Sequence, residues 1–202
     1  DSHDGVEFMN LLRNLSVAVA MMFTFTGLAR ADGLKVVASF SIIGDMAKQV
    51  GGDMVSVTTL VGPDSDAHVY EPRPQDAAAM AEADVVLING LGFEGFIERL
   101  AKTSAPKSAP ISLSNGAATL DIAKDGHEHD EPRHDHGGGV DPHAFQSVAN
   151  AQIYVRNIAE AYCKSDTANC DAYKANAAAY DIKLAALDAE IRAAVDSLPA
   201  DK

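Results

Sequence analysis

The sequence predicts an α/β fold: a parallel sheet lobe with flanking helices, followed by one long linking helix. Three observations predict it. Short apolar runs rich in β-branched residues alternate with segments of helical period. Gly, Pro and Asp punctuate nearly every change from one to the other. From Cys170 a single apolar stripe with 3–4 spacing then runs on without a breaker as far as Pro199.

The elements follow in order. Residues 35–41 (KVVASFS) predict a buried strand, and 42–50 a helix stopped by Gly51 and Gly52. Residues 55–61 (VSVTTLV) predict a second strand, closed by Gly62 and Pro63. Residues 74–83 are Ala-rich and helical, with Pro74 suited to a first turn. Residues 84–90 (DVVLING) predict a third strand, 93–103 a helix, and 110–113 a short fourth strand. The order βαβαβαβ implies a parallel sheet covered on both faces. Ligands of such sheets sit in loops beyond the carboxyl ends of the strands. Residues 121–139 break the pattern: they are polar, His-rich and glycine-terminated, and read as a loop. Beyond them Val148, Ala151, Val155, Ile158 and Tyr162 mark one helical stripe. The longer stripe comprises Tyr173, Ala177, Tyr180, Leu184, Leu187, Ile191, Ala194 and Leu198. A helix over 170–198 would span roughly 40 Å at about 1.5 Å per residue. That length suits a strut toward a further lobe, so the sequence predicts that a second lobe lies outside it. The expected organisation is a lobe over 32–165 and a linking helix over 166–202.

Composition narrows the function. The chain has 202 residues and a formal charge of −13, which disfavours phosphate backbones and hence nucleic acid. Residues 9–31 carry Arg13, an apolar run and a terminal Ala-Arg-Ala, the pattern of a bacterial secretory signal peptide cut after Ala31. The run is short for a spanning helix, so no membrane insertion of the mature chain is expected. Residues 1–8 stand upstream of the first Met9. Export to the periplasm follows, where disulfides persist. There the Cys163/Cys170 pair reads as a disulfide closing a short turn. A thiolate metal site is the alternative, although six intervening residues exceed the usual zinc spacing.

Three histidine features could carry chemistry. His68 lies in the Pro-bounded loop GPDSDAHVYEP, directly after a predicted strand. His143 lies in the Pro-fixed turn VDPHAF, where Asp141 could cap the turn or accept the far ring N–H of a metal-bound imidazole. Both follow elements of one sheet, so they can meet in space, and neutral imidazoles are good ligands for zinc and later first-row metals. Two ligands fall short of the three or four of a tight zinc site. The third feature is the tract GHEHDEPRHDHGGG, whose His127, His129, His134 and His136 suit secondary capture of divalent metal. Neither a nucleophile elbow, a P-loop, a dinucleotide fingerprint nor H-E-x-x-H is present, so nothing argues for catalysis. Glu71 is the one local candidate for the general base that a metal hydrolase would need.

Taken in order, VVASFSIIGD from Val36, GPD from Gly62 followed by DAHVYEP from Asp66, NGLGFE from Asn89, and Asp141-Pro-His143 form a specific signature. On these motifs the chain resembles the periplasmic metal-binding subunits of zinc and manganese ABC importers, the ZnuA/TroA-like group. The resemblance covers nearly all of residues 34–202. It implies two α/β lobes joined by a long rigid helix, with metal held between them. His68 and His143 match the two ligands of the N-terminal lobe. The third and fourth, a His or Glu and an Asp, would come from the C-terminal lobe. The His-rich loop resembles that of the zinc-specific branch, and the cysteine pair is similar to that of the AztC-like subgroup. Phe96 and Phe145 stand where relatives commonly carry Trp. The resemblance implies a high-affinity zinc receptor that delivers its ion to a membrane permease. A manganese receptor, or a periplasmic zinc buffer or chaperone, are the alternatives. Metal ligation by neutral imidazoles implies an affinity that falls below about pH 6.

Overall fold

Strands β1 (Leu34–Phe40), β2 (Val55–Val61), β3 (Val85–Ile88) and β4 (Ile111–Ser112) pair in parallel in the order β2-β1-β3-β4. Val36 faces Val57 on one side and Val85 on the other, and Leu87 faces Ile111. Val36, Val37, Ala38, Ser39 and Phe40 are buried in succession, as a central parallel strand covered on both faces requires. The computed structural model describes residues 33–121 and 139–199, within the unit Gly33–Lys202.

Helix α1 (Ser41–Gly51) connects β1 to β2, α2 (Pro74–Glu82) connects β2 to β3, and α3 (Ile97–Ser104) connects β3 to β4. Right-handed crossovers put α1 on one face, and α2 with α3 on the other, because the chain reverses direction across the sheet after β2. Helices α4 (Val148–Ser165) and α5 (Cys170–Asp196) pack against α1 and against each other. Tyr154 and Tyr162 on α4 and Tyr173 on α5 are fully buried there. The turn between α4 and α5 is closed by a Cys163–Cys170 disulfide, so no free thiolate is present.

Most element bounds shift by a residue or two from expectation, and three differences bear on the fold. Ser41 opens α1 instead of ending β1. Helix α5 ends at Asp196 instead of residue 198. Helix α3 starts at Ile97, four residues later than its apolar spacing predicts. Just before the expected start, the backbone of Gly90, Leu91 and Gly92 turns through positive φ (84°, 57° and 77°), which is not helical. At Gly90 the left-handed turn also lies against the Ser112 hydroxyl, where a Cβ would collide.

The expected leader (1–31) and the tract with His127, His129, His134 and His136 lie outside the described residues. The residues flanking that tract are tied together: Asp121 and Val140 form an antiparallel bridge, and the Asp141 N–H donates to the Leu120 carbonyl at 2.7 Å. No helix among the described residues is long and apolar enough to cross a membrane.

Candidate metal centre

The loop after β2 and the turn before α4 meet above the carboxyl ends of the strands. They bring His68 and His143 together, with Nε2 of one 3.3 Å from Nε2 of the other. Each histidine sits on the same local device. The His68 backbone N–H donates to Asp66 Oδ1 at 2.8 Å, and the His143 N–H donates to Asp141 Oδ1 at 2.9 Å. Both are Asx-turns, in which an aspartate two residues earlier holds the histidine's amide. Asp141 does more. Its Oδ1 lies 2.7 Å from His143 Nδ1, so the ring donates there and Nε2 keeps its lone pair for the cleft. The His143 amide, then its ring, hold the Asp141 carboxyl below its usual range.

The two imidazoles rest on aromatic rings. Phe40, Phe93 and Phe145 form a triangle with every pair of centroids 5.0 Å apart. Phe93 meets His68 edge-on at 4.7 Å and His143 at 5.6 Å. This apolar floor packs against both rings, whereas the His143 side chain remains 38% exposed. Asp141 and His143 also line a cleft of about 430 Å³ with Leu120, Ser147 and Asn150.

Behind the floor lies a buried polar cluster. Glu94 accepts from the Ser39 hydroxyl (2.6 Å), the Asn89 N–H (2.6 Å) and the Gly90 N–H (3.2 Å). Burial pushes its carboxyl up, and these three donors oppose that shift. The Asn89 side chain donates to the Pro142 and Gly90 carbonyls, both at 2.9 Å, and accepts from the Tyr154 hydroxyl at 2.6 Å. On the other side, Asp76 caps α2 by accepting from the Arg73 N–H and also accepts from the Tyr70 hydroxyl, both at 2.7 Å. This fixes the far end of the His68 loop. Asn89 and Glu94 belong to a motif visible in the sequence, but their partners Tyr154 and Ser39 lie 65 and 55 residues away, with no local pattern to join them.

Two imidazole nitrogens facing each other at 3.3 Å can share a proton or a cation. Ligand nitrogens about 2.0–2.1 Å from a tetrahedral zinc stand about 3.3 Å apart, so the spacing matches one edge of such a site. Among the described residues no group of three or more His, Cys, Asp or Glu could hold a metal ion. Glu71 is exposed and ion-paired with Arg99 at 3.3 Å.

Comparison with known proteins adds the following. The family described as "ZnuA: Zinc-uptake complex component A periplasmic" matches residues 36–202. The chain is 35% identical over 136 residues to the manganese-binding lipoprotein MntA of Halalkalibacterium halodurans, covering 67% of this chain and 41% of that protein. It is 32% identical over 157 residues to the iron ABC transporter substrate-binding lipoprotein MtsA of Streptococcus pyogenes, covering 75% and 48%. A crystal structure of a zinc-bound ZnuA deletion mutant superposes with a TM-score of 0.73 at 30% identity, covering 83% of this chain and 60% of that one. The chain spans about half the length of the curated relatives it matches.

Proposed function

The chain belongs to the ZnuA family, and from that premise we propose that it is the N-terminal metal-binding part of a periplasmic zinc receptor serving an ABC importer. The family consists of solute-binding proteins, which are not enzymes. The observation that carries the reading is the His68–His143 pair, with nitrogens separated by one edge of a tetrahedral zinc site. The ion is cargo. The two imidazoles bind it from one side, and the remaining donors come from beyond the described residues. Such a mostly preformed half-site gives affinity, and its separation from the other half gives release at the permease.

Zinc is favoured by the tract with His127, His129, His134 and His136, because clustered imidazoles suit zinc better than manganese. A manganese receptor is the second reading, supported by the 35% identity to a manganese-binding lipoprotein. A zinc buffer without a permease is a third, and docking to a permease separates it from the first. The signal-like leader and the relatives named as lipoproteins or periplasmic support a periplasmic location.

A zinc and manganese competition titration tests the proposal. The parent chain, the His68→Ala/His143→Ala variant and a deletion of residues 127–136 are compared. The expected result is that zinc is preferred, that the double variant loses the tightest binding, and that the deletion keeps it. Binding that follows the deleted tract alone would overturn the proposal.

A further inference from the structure

The Pro142–His143 peptide is pinned at both ends. Its N–H donates to Asp141 Oδ1 at 2.9 Å, and its carbonyl, that of Pro142, accepts from Asn89 Nδ2 at 2.9 Å. The first contact is local. The second reaches across 53 residues from the end of β3. Asn89 is fully buried, and its side chain uses both amide N–H groups and accepts one hydrogen bond. Its amide N–H groups face two carbonyls, Pro142 and Gly90, and its oxygen faces the Tyr154 hydroxyl. Only one orientation of the amide satisfies this set, because a flipped oxygen would face two acceptors. Its backbone is held equally: the N–H by Glu94, and the carbonyl by the Ser112 hydroxyl and the Ser114 N–H.

We infer that Asn89 and Tyr154 are positioning residues for the His143 imidazole. Tyr154 fixes the Asn89 amide, Asn89 fixes the Pro142 carbonyl, and that peptide sets where His143 Nε2 points. The relay explains why a half-exposed turn carries a histidine at a defined 3.3 Å from His68. It ties the turn to the end of β3. As a statement about metal affinity it rests on the zinc reading above. As a statement about His143 it does not.

Three variants test it. Asn89→Asp puts an acceptor against the Pro142 carbonyl with almost no change in shape. Tyr154→Phe removes one hydroxyl. Tyr162→Phe is the matched control: it removes another buried hydroxyl of α4, which donates to the Ala47 carbonyl far from the site. Zinc affinity is measured by chelator competition at a temperature where circular dichroism shows each variant folded. The imidazole nitrogen resonances of His143 are followed in the metal-free chain. Hydrogen-bonded partners of metal ligands typically contribute 10–100-fold in affinity. The expected result is a loss of about 10–100-fold for Asn89→Asp and about tenfold for Tyr154→Phe. The His143 resonances shift in both, and Tyr162→Phe changes neither readout. The inference is overturned if Tyr154→Phe and Asn89→Asp lose stability as Tyr162→Phe does but keep parental affinity and parental His143 resonances. Should Asn89→Asp not fold, Tyr154→Phe decides. Should the His68→Ala/His143→Ala variant bind zinc as the parent does, the zinc reading has failed. The His143 resonances then decide alone: a shift supports the relay and no shift overturns it.

Discussion

His68 and His143 each stand two residues after an aspartate, and the two aspartates have different work to do. Asp66 accepts from the His68 backbone N–H, which an amide oxygen can accept equally well. Asp141 holds the backbone and the ring together. Asp66→Asn should therefore leave metal affinity within about twofold, whereas Asp141→Asn should lower it about 10–100-fold; chelator competition measures both. This Asp-x-His repeat is legible in the sequence, since two short turns with the same acceptor need no tertiary information. The cluster behind it is not, because Glu94 meets Ser39 only after β1 and the β3–α3 turn are packed. Glu94 has a pH signature. Burial raises its carboxyl, so the folded chain holds that proton more tightly than the unfolded chain. Its contribution to stability is then present at low pH and is lost as pH rises from the ordinary carboxylate range through the raised value. Urea unfolding across pH 4–8 should show this slope in the parent and a flatter profile in Glu94→Gln. The amide resembles the protonated carboxyl, with one carbonyl acceptor and N–H in place of O–H, so the variant should lie closest to the parent at the acid end.

At the scale of elements, the spacing of Phe93, Phe96, Ile97 and Leu100 has helical period, yet only the last two lie within α3. The phenylalanines are buried in the segment between a left-handed turn at Gly90–Gly92 and the start of α3, which keeps the period without the helix. Apolar spacing reports which side chains face the core and is silent about backbone handedness, so boundaries fail first at such turns. In α5 the same stripe covers two different environments. Tyr173, Ala177 and Leu184 are buried against α1 and α4, whereas Leu187 and Ile191 are 44% and 45% exposed. Leu184→Ala should cost about 2–4 kcal/mol, and Ile191→Ser should stay within about 0.5 kcal/mol, by chemical denaturation. The α4–α5 turn is pinned by Cys163–Cys170, separated by seven positions. Closing so short a loop is worth about 2–3 kcal/mol in the chain-entropy account. Replacing both cysteines by alanine should lower the stability by that amount and leave zinc affinity unchanged, since the disulfide touches neither histidine loop.

At the scale of the whole molecule, the strand order β2-β1-β3-β4 reverses direction next to β1, and the histidine loops gather over the carboxyl ends of those strands. This is where open parallel sheets bind ligands. The alternation of strands and helices made the sheet and its parallel sense legible from the sequence. It did not reveal how close the two loops approach, which depends on the phenylalanine triangle and on Asn89 reaching Pro142. The central claim is that His68 and His143 bind one ion together. Zinc-edge X-ray absorption on the chain lacking residues 127–136, loaded with one equivalent of zinc, tests it most directly. The account predicts two imidazole nitrogens at about 2.0–2.1 Å, both lost in the His68→Ala/His143→Ala variant. A spectrum without imidazole scattering, or one unchanged by that double substitution, would contradict it.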